Sequence, residues 1–367
     1  MATLSSPQSG PTMSWGIART AGGSGVQQQS RWIRSARYDL SLFTLSPLAG
    51  LAVILPALAS PKGIHVWIAA TYLVAIPHYV SSFSFYMGDR NLAYYRTRRL
   101  VFFAGPVMIF FAVMGLRLTR IDALVQSALY TWNVYHVSMQ SLGILSLYRH
   151  LNGGSFSEGR PARFAILGVN SFLAFLHLDR FAPIYDNLVR IHFPMWIIRP
   201  FFLTVALVGL AFYLRNLRAR VNPMRGGELA FLISSLVLFH PYLWVRELNI
   251  ATYGMLMGHF LQYLGIVWLL NRRKYSVAEG SRHQRALSAI SSNTPLLLVS
   301  LVSVGVVFYS IRVGSDWLRT PLTYTIIWNS LSLIHFYLDG FLWAFKDPFV
   351  RSEVGPYLSP SSPTAVS

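Results

Sequence analysis

The sequence contains no cysteine, and charged residues make up only 12% of its 367 residues. The absence of cysteine excludes disulfides, iron–sulfur clusters, thiolate metal ligands and a cysteine nucleophile. A metal site in this chain would therefore need nitrogen and oxygen ligands. Since charged residues make up about 25% of soluble domains, the composition also excludes an ordinary water-soluble fold.

Sequence motifs of several well-known enzyme classes are missing as well. There is no Walker motif, no glycine fingerprint of a dinucleotide-binding fold and no nucleophile elbow. The histidines form no H-x-x-x-H or H-x-x-H-H cluster of the kind found in membrane hydroxylases and desaturases. Any site must therefore be assembled from residues that are isolated in the sequence.

What the chain has in abundance is apolar sequence. Hydrophobic residues make up 53% of it, and stretches of about 20 apolar residues, each long enough to cross the ~30 Å hydrocarbon core of a bilayer, recur along it. We predict an all-α, polytopic transmembrane helix bundle of about ten spans. The predicted spans are residues 39–59, 64–87, 99–118, 121–148, 164–178, 194–214, 228–247, 250–270, 292–312 and 319–346.

The two ends of the chain differ from this core in composition. Residues 1–37 and 348–367 are rich in small and polar residues and are expected to form disordered tails on a transmembrane helical domain at 38–347. Residues 1–30 lack the apolar segment of a secretory signal peptide.

The basic residues predict the orientation of the bundle. With the N-terminus in the cytoplasm, 22 of the 31 lysines and arginines fall on the cytoplasmic side, in agreement with the positive-inside rule. The net charge of +18 is thus explained by membrane topology, and we expect the lipid bilayer as a partner and no nucleic acid. The expected location is the cell membrane, with both termini in the cytoplasm.

Five of the ten histidines lie well inside predicted spans, away from the span ends: His78, His136, His240, His259 and His335. All of these except His240 stand on even-numbered spans, which cross the membrane in the same direction. At 1.5 Å per residue, these four lie ~14–18 Å from the ends of their spans. His240 lies at a similar depth on a span of opposite direction. We therefore expect one layer of imidazoles near the bilayer midplane.

A layer of imidazoles in hydrocarbon requires an explanation. Polar groups there are costly, face the bundle interior and usually mark a functional site. Imidazoles from separate helices at one depth can bind a first-row metal, so all five histidines are candidate metal ligands. A polar or proton pathway, and unrelated structural roles, are the alternatives.

Three other polar residues are candidate catalytic residues: Gln140, Gln262 and Asp339. Each follows a histidine by three or four positions and so shares a helix face with it. A ligating histidine commonly donates its second ring N–H to such a group. Asp339 is the only acidic residue placed well inside a span. It is expected either to bind the metal or to support a ligand, and a salt bridge to Lys346 is the alternative.

Four short motifs surround the histidines of the even-numbered spans: IPHYVSS at 76–82, VYHVSMQ at 134–140, GHFLQY at 258–263 and IHFYLDG at 334–340. In type and order they resemble motifs of the bacterial Brp/Blh family of β-carotene dioxygenases, which are multi-pass membrane proteins. Ser82 stands where that family has an acidic residue, and Gln262 where it has a second histidine. The resemblance implies that His78, His136, His259 and His335 hold a non-haem iron, Fe(II).

The sequence leaves three functional hypotheses. The first is an integral-membrane, histidine-ligated oxidoreductase or oxygenase that acts on a lipophilic substrate, with an unidentified electron donor as a possible partner. The second is a transporter or a pathway for protons or metal ions. The third is a haem protein with His136 and His259 as axial ligands.

The topology gives the first testable prediction. If ten spans are present and both ends are cytoplasmic, an epitope at the C-terminus should be protected in intact cells and accessible only after permeabilisation. Antibody labelling before and after permeabilisation measures this. An epitope that is labelled from outside intact cells would contradict the predicted orientation.

Overall fold

The computed structural model describes residues 32–152, 159–176, 194–220 and 222–358. Almost all of these residues are helical and none of them is in a strand, which confirms the all-α fold class. The helices of the described residues are α1 (Ala36–Thr44), α2 (Ser46–Ala59), α3 (Pro61–Met87), α4 (Asp89–Thr97), α5 (Leu100–Leu118), α6 (Asp122–Leu151), α7 (Gly159–Phe175), α8 (Met195–Arg218), α9 (Gly226–Trp244), α10 (Leu248–Lys274), α11 (Arg282–Ser292), α12 (Thr294–Trp317), α13 (Pro321–Leu342) and α14 (Pro348–Leu358).

Each of the ten predicted spans coincides with one helix or with a pair of helices. Within the described residues, six helices are long and apolar enough to cross a membrane, namely α3, α5, α8, α9, α10 and α12. The number becomes seven if α1 and α2, which meet at an angle of 53°, are counted as one broken span. The chain therefore has the helices of a membrane protein, but the predicted number of ten spans is not confirmed.

The remaining predicted spans correspond to α6, α7 and α13. α7 has only 17 residues, which is at the short limit for a bilayer. α6 has 30 residues and α13 has 22, so length is not what sets them apart. Their buried faces carry polar residues, which lower the mean hydropathy: Ser127, Asn133, His136, Ser138, Ser141 and Arg149 on α6, and Asn329, Ser330, Ser332, His335 and Asp339 on α13.

Prolines shape three of the helices. Each of three π-helical turns is followed within three residues by a proline: Leu40–Thr44 by Pro47, Thr71–Ala75 by Pro77, and Leu100–Ala104 by Pro106. Proline has no N–H to donate, and its ring collides with the carbonyl four residues earlier. The turn before it widens to relieve that collision, as π-bulges do.

The carbonyl groups that these prolines release are used to join helices. The carbonyl of Phe43, four residues before Pro47, accepts a hydrogen bond of 3.2 Å from Gln262 on α10. The carbonyl of Phe102, which stands in the same relation to the third proline, accepts 2.8 Å from the hydroxyl of Tyr86 on α3. These hydrogen bonds give the released carbonyls a partner and tie the bent helices to the rest of the bundle.

Glycines allow α10 to pack closely against α2. A Cβ atom on Gly50 would overlap the backbone carbonyl of Gly254, and one on Gly258 would lie 2.9 Å from the carbonyl oxygen of Ser46. Small residues four positions apart are the usual means by which membrane helices approach each other. The contact fixes the segment of α10 that begins with His259.

The buried apolar residues form two clusters that lie one above the other in the bundle. One cluster lies toward the end where α6 and α10 carry Arg149 and Arg272–Lys274, which we call the basic end. On α10, Phe260 belongs to the other cluster and Tyr263 to the basic-end cluster. A polar layer crosses the bundle where these two clusters meet.

The ordered region is longer than the predicted domain at 38–347. Asp39 accepts hydrogen bonds from the backbone N–H groups of Ile33 and Arg34, at 2.6 and 3.1 Å, which orders part of the predicted N-terminal tail. At the other end, 348–358 form α14, where Val350 and Leu358 are buried in the basic-end cluster. The sequence did not reveal this helix because its apolar positions are few and Pro356 interrupts them.

The contact between α2 and α10 gives the second prediction. Gly50→Ala should destabilise the protein by about 1–3 kcal/mol, the usual cost of overpacking, because only rigid backbone faces the added methyl group. Gly115→Ala is the matched control, since nothing lies within 4 Å of a Cβ at that position; it should stabilise the protein by about 0.4–1 kcal/mol, because alanine loses less backbone entropy on folding than glycine. Unfolding in mixed detergent measures both, and equal effects would contradict the packing argument.

Candidate metal centre

Four histidines meet at the centre of the bundle. His78 of α3, His136 of α6, His259 of α10 and His335 of α13 each offer one ring nitrogen, and these four atoms lie within 4.8 Å of one another. All four side chains are buried, and three have no exposed surface at all. Four of the five histidines predicted to form one layer are therefore brought together.

The four rings form a closed cycle in which each contacts two neighbours. The centroid distances are 4.8 Å for His78–His259, 5.0 Å for His259–His136, 5.0 Å for His136–His335 and 4.4 Å for His335–His78. Phe260 and Phe336 pack against the cycle, with centroids 4.6 Å from His78 and 4.5 Å from His136. The rings are therefore held by helix packing from four directions.

Six nitrogen atoms of this cycle have no hydrogen-bond partner in the part of the chain that the structure describes. They are both ring nitrogens of His78 and of His259, and Nε2 of His136 and of His335. Each buried polar atom left without a partner costs about 1–3 kcal/mol, so native proteins rarely contain several together. A shared cation would satisfy one nitrogen of each ring.

A metal ion fits this donor set. Nitrogen ligands lie about 2.0–2.1 Å from a first-row ion, so two ligands of one ion are roughly 3–4 Å apart. The largest distance between the four ring nitrogens, 4.8 Å, is only slightly longer than this. Small rotations of the rings would bring the nitrogens to the distance that one ion requires. Neutral imidazoles with no thiolate among them suit zinc, copper, nickel or iron.

A second layer of polar side chains lies next to the histidines, one helical turn along each helix. Ser82, Gln140, Tyr263 and Asp339 each follow a histidine of the cycle by four residues. The Ser82 hydroxyl lies 2.7 Å from the Tyr263 hydroxyl and 3.1 Å from an Asp339 oxygen. Because residues at the same offset on α3, α10 and α13 contact each other, these three helices run in the same direction, as predicted.

Asp339 joins the two layers. Its Oδ1 accepts hydrogen bonds from Tyr263, at 2.7 Å, and from Ser82, at 3.1 Å. Its Oδ2 faces the cycle, 3.7 Å from Nε2 of His335 and 3.9 Å from Nε2 of His136. These are the separations found between two ligands of one ion. The described residues contain no ion pair between Asp339 and Lys346, the alternative that the sequence left open.

Ser82 also determines which nitrogen of His335 faces the centre. Ser82 Oγ lies 2.8 Å from Nδ1 of His335 and 3.1 Å from Oδ1 of Asp339. When the hydroxyl donates to Asp339 it accepts from Nδ1, and Nε2 is then left with a free lone pair. This is the tautomer that a ligating histidine needs, and the hydrogen bond that selects it is of the kind found around metal sites.

His240, predicted as a fifth ligand, is not brought into the cycle. Its Nδ1 accepts 3.1 Å from the indole N–H of Trp244, and its Nε2 lies 3.3 Å from the carbonyl of Pro47. Both ring nitrogens are therefore occupied elsewhere. The helix break before Pro241 turns this ring toward α2, which residue counting along a regular helix does not anticipate.

The two glutamines differ in position. Gln140 lies beside the centre and donates 3.0 Å to the backbone carbonyl of His259, which ties α6 to α10. Gln262 faces away from the centre and donates to the Phe43 carbonyl and, at 2.9 Å, to the hydroxyl of Ser46. The structure thus gives Gln262 a role in joining helices.

Tyr263 is the site residue that sequence reasoning missed. It donates to Asp339, contacts Ser82 and accepts 3.3 Å from the indole N–H of Trp343. The sequence feature that could have revealed Tyr263 is its position four residues after His259. Ser82 and Asp339 also lie four residues after a histidine of the cycle. Gln262, at a spacing of three, drew attention instead.

A cavity of about 480 Å³ opens beside the centre, between α6 and α13. His136, Gln140, Tyr263 and Asp339 are its polar wall, and most of its lining is aromatic or aliphatic. Its volume lies within the range of cavities that bind small organic ligands. The centre is therefore accessible from the side of His136 and Asp339.

No protein-family model matches this chain, and no curated protein or solved structure is significantly similar to it. The resemblance to the Brp/Blh family therefore stays a prediction that rests on the four histidine motifs.

The position of Asp339 gives the third prediction. Asp339→Asn should weaken metal binding by roughly 10–100-fold, the usual effect of losing a group that supports metal ligands, while the bundle stays folded. Asp316→Asn is the control, because Asp316 is an exposed acid paired with Arg312. Titration of metal-depleted protein with Fe(II) or zinc measures both affinities. Equal affinities for the two variants would show that Asp339 takes no part in the centre.

Proposed function

We propose that this chain is an integral-membrane metalloprotein, and that it oxidises a lipophilic substrate with O2 at an iron held by His78, His136, His259 and His335. The observation that carries the proposal is the cycle of four buried imidazoles beside an apolar cavity, in which six ring nitrogens have no other partner among the described residues. The proposed location is the cell membrane. The four motifs that resemble the Brp/Blh family favour iron over zinc.

Bound Fe(II) would supply the redox chemistry with O2 that amino-acid side chains lack. The chain's own residues have separate tasks. Ser82 fixes the tautomer of His335, and Tyr263 orients the carboxylate of Asp339. Asp339 also compensates positive charge, which is expensive to hold in a low-dielectric interior without a counter-charge.

Burial of the centre supports a resident metal more than a transported ion. His78, His259 and His335 have no exposed surface, whereas a pathway for ions needs a route lined by water or polar groups. The cycle of rings also opposes haem binding, since His136 and His259 are 5.0 Å apart between centroids and in contact. No space for a porphyrin lies between them.

Metal content gives the fourth prediction. Wild-type protein purified after growth with supplemented metals should contain close to one iron per chain. Alanine at any one of His78, His136, His259 or His335 should deplete the metal, because each imidazole supplies one ligand. Elemental analysis for iron, zinc, copper and manganese measures this.

His240→Ala is the matched control, since His240 is also a histidine within the helical region but lies outside the cycle. It should retain full metal content. Nitric oxide added to the Fe(II) protein, with detection by electron paramagnetic resonance, would show whether a position remains open for O2. A wild type that contains none of the four metals, or that transports metal ions in proteoliposomes, would contradict the proposal.

A further inference from the structure

The cavity beside the metal centre is a long slot. Its wall on α6 runs from Trp132 through His136 and Gly143 to Leu147, and these residues recur at helical spacing along one face. Fifteen residues separate the first from the last, which corresponds to about 22 Å along the helix axis. The slot thus extends along about four turns of α6, and this length suits an extended chain.

The slot is closed on most sides. On the inner side Tyr263, Ile266 and Phe336 separate it from the rest of the bundle. At the basic end, Phe345 and Leu358 form its floor, and Leu358 belongs to the buried core.

The outer side of the slot is open at two glycines. Gly143 of α6 and Gly340 of α13 both line the cavity, and both are exposed. A Cβ built on either glycine meets no atom within 4 Å. By contrast, a Cβ on Gly50, Gly254 or Gly258 would collide with a neighbouring helix. The two glycines of the slot therefore face open space and serve no close helix contact.

The opening lies at the depth of the hydrocarbon core. His259 stands near the middle of α10, which is long and apolar enough to span a bilayer, so the histidine cycle lies near the midplane. Gly143 and Gly340 follow His136 and His335 by seven and five residues, or about 10 and 8 Å. The half-thickness of the hydrocarbon core is about 15 Å, so both glycines lie within it.

We propose that Gly143 and Gly340 frame a lateral opening through which one apolar hydrocarbon chain passes from the bilayer into the slot and reaches His136 and Asp339. A hydrocarbon chain fits because the opening is at lipid depth, the slot is elongated, and its lining is apolar except beside the metal centre. The glycines determine specificity, since any side chain at either position would narrow the opening. The inference rests on the proposed function only for what happens to the chain after it arrives.

The test uses metal-depleted full-length protein in lipid nanodiscs with a photoactivatable probe, an uncharged alkyl chain of about 20 Å that carries a terminal diazirine. After irradiation, mass spectrometry locates the labelled residues. Met139 and Phe336, which line the slot, should be labelled in the wild type. The double variant Gly143→Leu with Gly340→Leu should reduce this labelling by about tenfold or more, the effect of a few extra methylene groups in an apolar passage.

Gly115→Leu is the matched control, since Gly115 is equally exposed and equally free of neighbours but lies on α5, away from the slot. It should leave labelling of Met139 and Phe336 unchanged. Thermal unfolding of each variant measures stability separately, and the bundle should stay folded in all of them because a Cβ at each of these positions meets no atom within 4 Å. Metal titration of the same samples is a separate readout, so loss of the opening and loss of metal binding are distinguishable.

Three results would overturn the inference. Slot labelling that is unchanged in the double leucine variant would place the entrance elsewhere. Labelling of the slot by a charged, membrane-impermeant diazirine would show that it opens to water. Crosslinking of Gly143→Cys between two copies of this cysteine-free chain, with no alkyl label in the slot, would show that a second copy covers the opening.

Discussion

The organisation of the bundle depends on the cost of burying four imidazoles at its centre. Each ring needs a partner for its polar atoms, and the apolar side chains packed around the cycle offer none. Within the described residues Ser82 is a partner for one nitrogen of His335, and six of the eight ring nitrogens have none. One buried cation bound by all four rings would give each ring a partner for one nitrogen. The apolar clusters above and below the layer limit the access of water to these nitrogens.

The scaffold that holds this layer is made from irregular helices. Prolines widen turns of α1, α3 and α5 and release backbone carbonyls. Two of these carbonyls accept side-chain hydrogen bonds from other helices. Glycines on α10 allow the broken pair α1 and α2 to approach closely. Straight helices of uniform composition would pack more simply, but they would not bring a ring from each of four helices to one point.

The sequence was sufficient to predict the fold class and the four histidines of the centre, because depth in a membrane helix follows from residue counting. Counting failed for His240, where a break before Pro241 changes the direction of the ring. Residue counting also could not decide whether the residue three or four positions after His259 faces the centre, and Gln262 was predicted in place of Tyr263. The number of spans stayed uncertain because the polar residues that build the centre make α6 and α13 less hydrophobic.

The π-helical turn Thr71–Ala75 has a consequence for the angular position of His78. A π-helical turn accommodates one more residue than an α-helical turn, and each residue of an α-helix rotates the chain by about 100°. The widened turn therefore sets the phase of everything that follows it on α3. If the same residues formed a regular α-helix with no widened turn, His78 would be rotated by about 100°, away from the other three rings. The histidine at this position is useful only together with the irregularity that precedes it.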